Sequence, residues 1–397
     1  MIWSNEGHQF DKTGKLFEDK AIMIYGANSE GAGFYNKVKF LQQPTMFIDR
    51  NEELQSCGMH GNRVISVNEL AHMEKKTHIV IVCVQGYNGN LVLKQLLHLG
   101  YELGVNCFYS NIFLDYYLPI YALYEQDIVY FPSISFLVTT KCNLTCKGCL
   151  NFTNQNASKR HYSIGELKQN ADYFFSAVDY VEKFHMSGGE PFLYPDFVRI
   201  LSYVYENYGQ RIGAVYTATN GTILPSDDIC SALSTCNVFV EVDDYRSALS
   251  KPLLKNDSVI AKLKDYGICH SDRGADYWID LLPHNYSNGC QNDNDLSIWY
   301  DTCNNPFASV HNGKLYSCNY DDYAKEAGIA APNPDDYLDL SMSHSKRELV
   351  EFRQGYTKRG YVEFCKQCAG HEMTNRSHIA VAQQASAAQQ LRPLKKE

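Results

Sequence analysis

The chain has 397 residues, 45% of them hydrophobic, and a formal net charge of −9. This length suits two or three domains with buried cores and excludes both a disulfide-stapled miniprotein and a mainly disordered chain. With 45 Asp and Glu against 36 Lys and Arg, nucleic acid is not expected as the main partner, because phosphate binding needs a basic face. No apolar run reaches the length of a membrane span, so no membrane partner is expected. The N-terminal stretch lacks the apolar core of a signal peptide, and the expected location is cytoplasmic. There are 14 Cys. In a reducing compartment clustered thiols serve metal or redox chemistry, and their placement decides which.

Residues 20–110 alternate strands with helices, the pattern of a parallel sheet covered on both faces. Ala21–Tyr25, Thr45–Asp49 and His78–Cys83 are the expected strands, with a helix over Leu91–Leu99. Gly26-x-Asn28-x-x-Gly31 follows the first strand, and Asp49 ends the second. This is nearly a dinucleotide fingerprint, with Asn28 where the middle glycine should let backbone reach a pyrophosphate. Phe47–Asp49 followed by Gly61–Leu70 resembles small Rossmann-like domains attached to bacterial sugar-modifying and polysaccharide enzymes. Two readings stay open. Gly26, Gly31 and Asp49 hold a nucleotide or nucleotide-sugar, or the domain is a scaffold or docking module without a ligand. It does not resemble the winged-helix modules that recognise peptides, which tilts the substrate expectation toward sugars.

Residues 111–133 are aromatic and irregular, with Pro119 and Pro132, and read as a packed connector. A second alternating series follows, with strands expected at Ile134–Thr140, Lys183–Met186, Ala214–Ala218, Val238–Val242 and near Trp278–Leu282. Ser163 and Glu166 form a capping box ahead of the apolar run 164–181, Asp196 suits the start of the next helix, and Gly267 ends Lys255–Tyr266. About 150 residues of βα units are too few for a complete (β/α)8 barrel, and a partial, (β/α)6 barrel is expected. From about 290 the periodicity fades while Gly, Asn, Asp and Cys become dense, so this part needs something besides an apolar core. The expected domains are 1–130, 131–288, 289–376 and an Ala/Gln-rich tail, 377–397, loosely docked or frayed.

Cys142-x3-Cys146-x2-Cys149 follows a strand directly. Three thiolates on one short loop can hold three irons of a cubane and leave the fourth open. A zinc site borrowing a fourth Cys is the alternative. At the end of the next strand stands Gly188-Gly189-Glu190-Pro191, two glycines that admit close backbone approach and a carboxylate suited to an ammonium. The two motifs, in this order on successive strands, resemble the radical S-adenosylmethionine (radical SAM) superfamily. The resemblance implies that Cys142, Cys146 and Cys149 ligate a [4Fe-4S] cluster whose open iron takes S-adenosylmethionine (SAM). Gly188, Gly189 and Glu190 would meet the methionyl amino group, and Asn220 and Asp243 the SAM ribose or carboxylate. Gly148 departs from the superfamily's common aromatic residue before the third Cys.

Cys303-x9-Gly313-x4-Cys318 followed by Cys365-x2-Cys368 resembles the SPASM/twitch extension of radical SAM enzymes. No Cys follows Cys368, which favours a twitch-type domain with one auxiliary [4Fe-4S] cluster. Cys290 is an alternative ligand, and a zinc ribbon is the alternative to the cluster. Substrate contacts in such a barrel come from strand ends, where Tyr216, Asp244, Tyr245, Arg246, Trp278 and Asp280 are placed. Tyr245, Trp278 and Asp280 are the candidate catalytic residues, against ordinary packing for each. His185 reads as a satisfied core histidine.

The resulting expectation is an α/β enzyme: a Rossmann-like N-terminal sheet, a partial radical SAM barrel and a small Cys-rich auxiliary domain. It would generate a 5′-deoxyadenosyl radical and abstract hydrogen from a small molecule, a sugar or nucleotide-sugar. An electron donor such as flavodoxin or ferredoxin would serve it. A peptide or protein maturase and a non-catalytic iron–sulfur protein are the competing readings.

Overall fold

The computed structural model describes residues 8–41, 46–303, 307–371 and 375–385. The chain divides into two compact units, Gly7–Tyr130 and the part from Phe131 onward.

The first unit is a five-stranded sheet of β1 (Ala21–Tyr25), β2 (Met46–Ile48), β3 (Val64–Ile65), β4 (His78–Val82) and β5 (Cys107–Tyr109). Its order is β3-β2-β1-β4-β5 and every neighbouring pair is parallel. The chain winds outward from β1 to β3 and then crosses to β4, so the winding switches between β1 and β4. In open α/β sheets such a crevice is where ligands bind. β4 is buried along its whole length, as its unbroken apolar run requires. β3 and β5 were not expected, because two or three residues carry no readable period.

The connector expected to be irregular is helical from Ser110 to Gln126, with a π-helical stretch at Phe113–Tyr117. Pro119, which has no N–H to donate, follows closely on that π-helical stretch, where the regular α-helical bonding is already interrupted. Of the connector's aromatic side chains Phe113 and Tyr121 are buried as expected, while Tyr116, Tyr117 and Tyr124 are half-buried. Phe17 lies at 5.5–6.0 Å, ring to ring, from Phe108, Phe113, Tyr117 and Tyr121.

The second unit contains β6 (Tyr130–Thr139), β7 (Tyr180–Gly188), β8 (Ile212–Thr219), β9 (Phe239–Asp243), β10 (His270–Arg273), β11 (Tyr277–Ile279), β12 (Ala308–His311), β13 (Lys314–Tyr316), β14 (Tyr337–Asp339) and β15 (His378–Ala380). Eight of them form one sheet, β10-β9-β8-β7-β6-β12-β13-β14. β7 to β10 pair in parallel, and β12 adds in parallel to β6. Residues 289–376, expected as a small domain of their own, therefore continue the barrel sheet through β12–β14.

Register separates the two faces. Phe184, Met186, Val215, Thr217, Val240 and Val242 are buried on one side, where Phe175 of the helix Ile164–Ala177 stacks on Phe184 at 5.9 Å. That helix starts with the expected capping box between Ser163 and Glu166. Asp196 stands at the start of the helix Phe197–Tyr208, but its carboxylate pairs with Arg199 and does not cap.

The strand expected near Trp278–Leu282 is a correction. The fifth parallel strand is β10, His-Ser-Asp-Arg, a polar and largely exposed edge strand with no apolar signal. β11 instead pairs antiparallel with β15, Trp278 opposite Ile379. The segment 377–385 is consequently docked rather than frayed. The rest of the expected tail, 386–397, lies outside the described residues. Among the described residues no helix is long and apolar enough to cross a membrane.

Candidate active site

β6 ends at Thr139, and Cys142, Cys146 and Cys149 follow on the loop beyond it. The three thiols lie within electrostatic range of one another. Burial, reinforced by the neighbouring thiols, pushes Cys142 up to about 12 and Cys146 up to about 11. Thiols crowded in a low-dielectric site resist ionising unless a cation compensates them, which is the state a metal centre supplies. Two donors already point at Cys142 Sγ, the Leu144 N–H at 3.4 Å and Asn220 Nδ2 at 3.7 Å. Among the described residues no three His, Cys, Asp or Glu side chains converge as a single-ion site would require.

The glycines at the end of β7 have a second task. The Gly189 N–H donates to Thr139 O at 2.8 Å and the Glu190 N–H to Lys141 O at 2.9 Å. A Cβ on Gly189 would stand 2.3 Å from the Lys141 carbonyl oxygen. The Gly-Gly turn therefore admits the backbone that leads into the cysteine loop. Glu190 corrects the expectation of a carboxylate offered to an ammonium. It is fully buried. Its Oε1 accepts from Phe192 N and Thr219 Oγ1, and its Oε2 from Asn220 N. Burial raises its pKa to about 7 against the pull of those donors. The side chain braces the ends of β7 and β8.

Asn220 is buried behind the cysteine loop. Its Nδ2 also donates to Asn143 Oδ1, and its Oδ1 accepts from Thr222. Asp243 ends β9 within electrostatic range of Cys146 and Glu190. Its Oδ2 accepts from the Tyr245 hydroxyl at 2.8 Å. Burial holds its carboxyl at about 6.

Tyr245 joins Leu144, Cys146, Leu249, Val381 and Ala382 in one apolar cluster, with Trp278, Cys142 and Cys149 packed against it. Tyr245 and Trp278 meet edge to face at 5.5 Å. Two of the three candidate catalytic residues thus wall the cysteine loop. Asp280 serves the chain's own turn: Oδ1 accepts from Leu282 N, and its backbone binds Ser377 and Asn375. Asp244 and Arg246 form a surface ion-pair knot with Asp257 and Asp272.

Sequence reasoning missed Lys183 and Glu241 on the half-buried face of the sheet, where the expected Tyr216 and His185 also stand. Lys183 Nζ lies 4.1 Å over the Tyr216 ring. His185, expected to be satisfied, has no hydrogen-bond partner at Nε2 among the described residues. Its alternating polar residues within β7 to β9 were the available signal.

Cys303, Cys318, Cys365 and Cys368 also come together, each within electrostatic range of others of the set. Burial pushes Cys368 up to about 12 and Cys318 and Cys365 well above the ordinary thiol range. Burial and Asp295 raise the Cys290 thiol, and Asn288, which accepts from Cys290 N, donates to Cys365 O.

In the N-terminal unit the Gly-rich turn is self-satisfied. Asn28 caps the helix Ser29–Val38 through Gly31 N and donates to Cys83 O. Asp49 Oδ2 accepts from Ala27 N and Oδ1 from Asn51 N. Gly31 is needed for packing, since a Cβ there would meet Gly26 O at 1.9 Å. A cavity of about 880 Å³ opens beside this turn at the winding switch, lined by Glu30, Lys37, Gln85, Asn90 and Tyr109 among others.

Residues 136–270 match the family model of the radical SAM superfamily. This segment is a radical SAM domain, and such a domain takes a [4Fe-4S] cluster and SAM. No curated protein matches the chain. Among solved structures the chain is similar to native anSMEcpe with bound AdoMet and Kp18Cys peptide, at 16% identity and a TM-score of 0.38, covering 56% of this chain and 82% of that one. It is also similar to BtrN in complex with AdoMet and 2-DOIA, at 17% identity and a TM-score of 0.38, covering 62% and 95%. A third, methylornithine synthase, shares 16% identity at a TM-score of 0.27, covering 36% and 44%. Likenesses this distant do not bear on substrate.

Proposed function

We propose that the chain is a radical SAM enzyme with a second cluster on Cys303, Cys318, Cys365 and Cys368, acting on a sugar or nucleotide-sugar. The observation that carries the chemistry is the meeting of Cys142, Cys146 and Cys149 with the Gly188-Gly189 turn inside a radical SAM domain. A reduced cluster with SAM supplies, when bound, a carbon radical that takes hydrogen from an unactivated carbon.

The chain's own residues prepare the place for it. Cys142, Cys146 and Cys149 would hold three irons. Backbone at Gly188 and Gly189 would face the methionyl amine and Asp243 a polar end of SAM, while Asn220, its amide taken up by Asn143, Cys142 and Thr222, would hold the loop from behind. The Asp243 carboxyl, raised to about 6 by burial, is ionised above that pH and can then accept a bond from a ribose hydroxyl or an ammonium. Tyr245 and Trp278 keep water from the loop, which protects a radical from side reactions. Four thiols, of which Cys318, Cys365 and Cys368 are buried, would leave no iron of the second cluster open, which suits electron transfer or structure. The sugar reading draws on the N-terminal unit, whose cavity at the winding switch has the size of a small-molecule site. Dehydrogenation or epimerisation is the expected class of reaction.

The test is anaerobic reconstitution of the full chain with iron and sulfide. Two cubanes correspond to roughly eight irons per chain. With SAM and a reductant, a nucleotide-sugar panel is expected to raise 5′-deoxyadenosine formation above the rate without substrate, and Cys142→Ala to abolish it. Persistent SAM cleavage by Cys142→Ala sinks the radical SAM assignment, and a response to precursor peptides alone moves the substrate to that class.

A further inference from the structure

We infer that Gln384 is a positioning residue that tunes the SAM-binding cluster through Cys146; this rests on the radical SAM reading above. The segment 377–385 leaves β15 and crosses the cysteine loop. Lys147 N donates to Gln383 O at 2.8 Å, and Ala385 N to Thr145 O at 2.7 Å. Between these contacts the Gln384 side chain enters the loop. Its Oε1 accepts from Thr145 N at 2.7 Å and from Thr145 Oγ1 at 3.2 Å. Its Nε2 donates to Cys146 Sγ at 3.3 Å and to Ala382 O at 2.6 Å.

The amide has one sensible orientation. A backbone N–H can only donate, so the oxygen must face Thr145 N, and the NH2 group must then face the sulfur and the Ala382 carbonyl. The chain accepts strain for this arrangement. Ala382 sits at φ +49°, a left-handed conformation unfavourable for a residue with a Cβ. It is also wholly buried beside Tyr245 and Cys146.

A hydrogen bond to a thiolate ligand withdraws negative charge from it, so the added electron of the reduced cluster is less costly and the reduction potential rises. Burial under Val381 and Ala382 acts the opposite way, disfavouring the more negatively charged reduced state. Gln384 offsets that penalty at one sulfur. The same segment accounts for Gly148, the residue that departs from the superfamily's common aromatic. A Cβ at Gly148 would stand 2.4 Å from Ile379 Cγ2. The C-terminal segment fills the space an aromatic residue would need.

The full chain, reconstituted anaerobically, is titrated with reductant and followed by electron paramagnetic resonance, reading the cluster signal that SAM perturbs. Gln384→Glu keeps an oxygen for Thr145 but removes the N–H from the sulfur, and Gln384→Leu removes both. Both variants are expected to keep wild-type iron content and to show a more negative midpoint for the SAM-responsive signal, with Gln384→Glu shifted further because it places an anion beside the sulfur. An unchanged midpoint in both overturns the inference. So does loss of that cluster in both variants, since the segment would then hold the loop rather than tune it. A wild-type protein with iron but no SAM-responsive signal fails the radical SAM reading itself.

Discussion

Gly189→Ala is expected to lower SAM cleavage by about a hundredfold or more while leaving the fold assembled. The new methyl group would lie 2.3 Å from Lys141 O, 2.6 Å from Lys141 C and 3.0 Å from Cys142 Cβ. Two of these atoms belong to backbone, which no rotamer change can move aside. Restoring an ordinary contact pushes the entry to the cysteine loop back by about 1 Å, and a misplacement of that size at a reacting centre costs on the order of 10²-fold in rate. The Gly189→Thr139 and Glu190→Lys141 backbone bonds would stretch together, so Cys142 moves with them. The rate of 5′-deoxyadenosine formation reads the effect, and the iron count tells a displaced cluster from a lost one. Gly165→Ala is the control. That glycine lies in an exposed first helical turn, with only Ser163 Oγ, at 4.0 Å, near its Cβ position. Ala there should stabilise the helix by up to about 1 kcal/mol and leave cleavage unchanged. Wild-type cleavage by Gly189→Ala would mean that the loop does not need its observed path.

The prominence of Gly189 shows what kind of information the sequence held. Its motif was legible because chemistry and close packing both demand small residues at one place. Strands such as β4 and β7 were legible because burial writes a period or a run into the sequence. β10 was not, because an edge strand of His, Ser, Asp and Arg carries no apolar signal. The inward turn of Glu190 was equally hidden: three donors take its oxygens, two of them at Thr219 and Asn220 on the neighbouring strand end. Gln384 left no trace at all. Its partner Cys146 lies 238 residues away, and a polar, Ala/Gln-rich composition reads as a tail until the loop that it satisfies is in view. Gly148 was noticed as a departure, yet its cause, Ile379, lay in that same segment.

The auxiliary cysteines depend on charges that the sequence also concealed, and Asp336→Ala is expected to expose this. Asp336 is fully buried. Its Oδ2 accepts from Lys325 Nζ at 2.5 Å and from Glu363 N at 3.1 Å, and its Oδ1 from Arg359. Asp321, also fully buried, takes the same Lys325 at 2.5 Å and the Phe364 N–H at 3.0 Å. The two carboxylates thus hold successive backbone N–H groups immediately before Cys365, and Lys325 holds the carboxylates. Removing Asp336 leaves Lys325 and Arg359 short of a partner in a buried setting, and breaking such a network costs about 3–5 kcal/mol. The loss should appear as a lower denaturation midpoint. Because the turn carrying Cys365 and Cys368 loses an anchor, iron is expected to fall from about eight toward about four per chain, with the SAM-responsive cluster retained. Lys358→Ala removes only the exposed partner of Asp335 and should change neither quantity, since exposed pairs contribute little. If Asp336→Ala keeps both its iron and its midpoint, the buried charges do not support the auxiliary site. If it loses the SAM-responsive cluster as well, the two cysteine sets depend on one another through the sheet that β12 shares with β6.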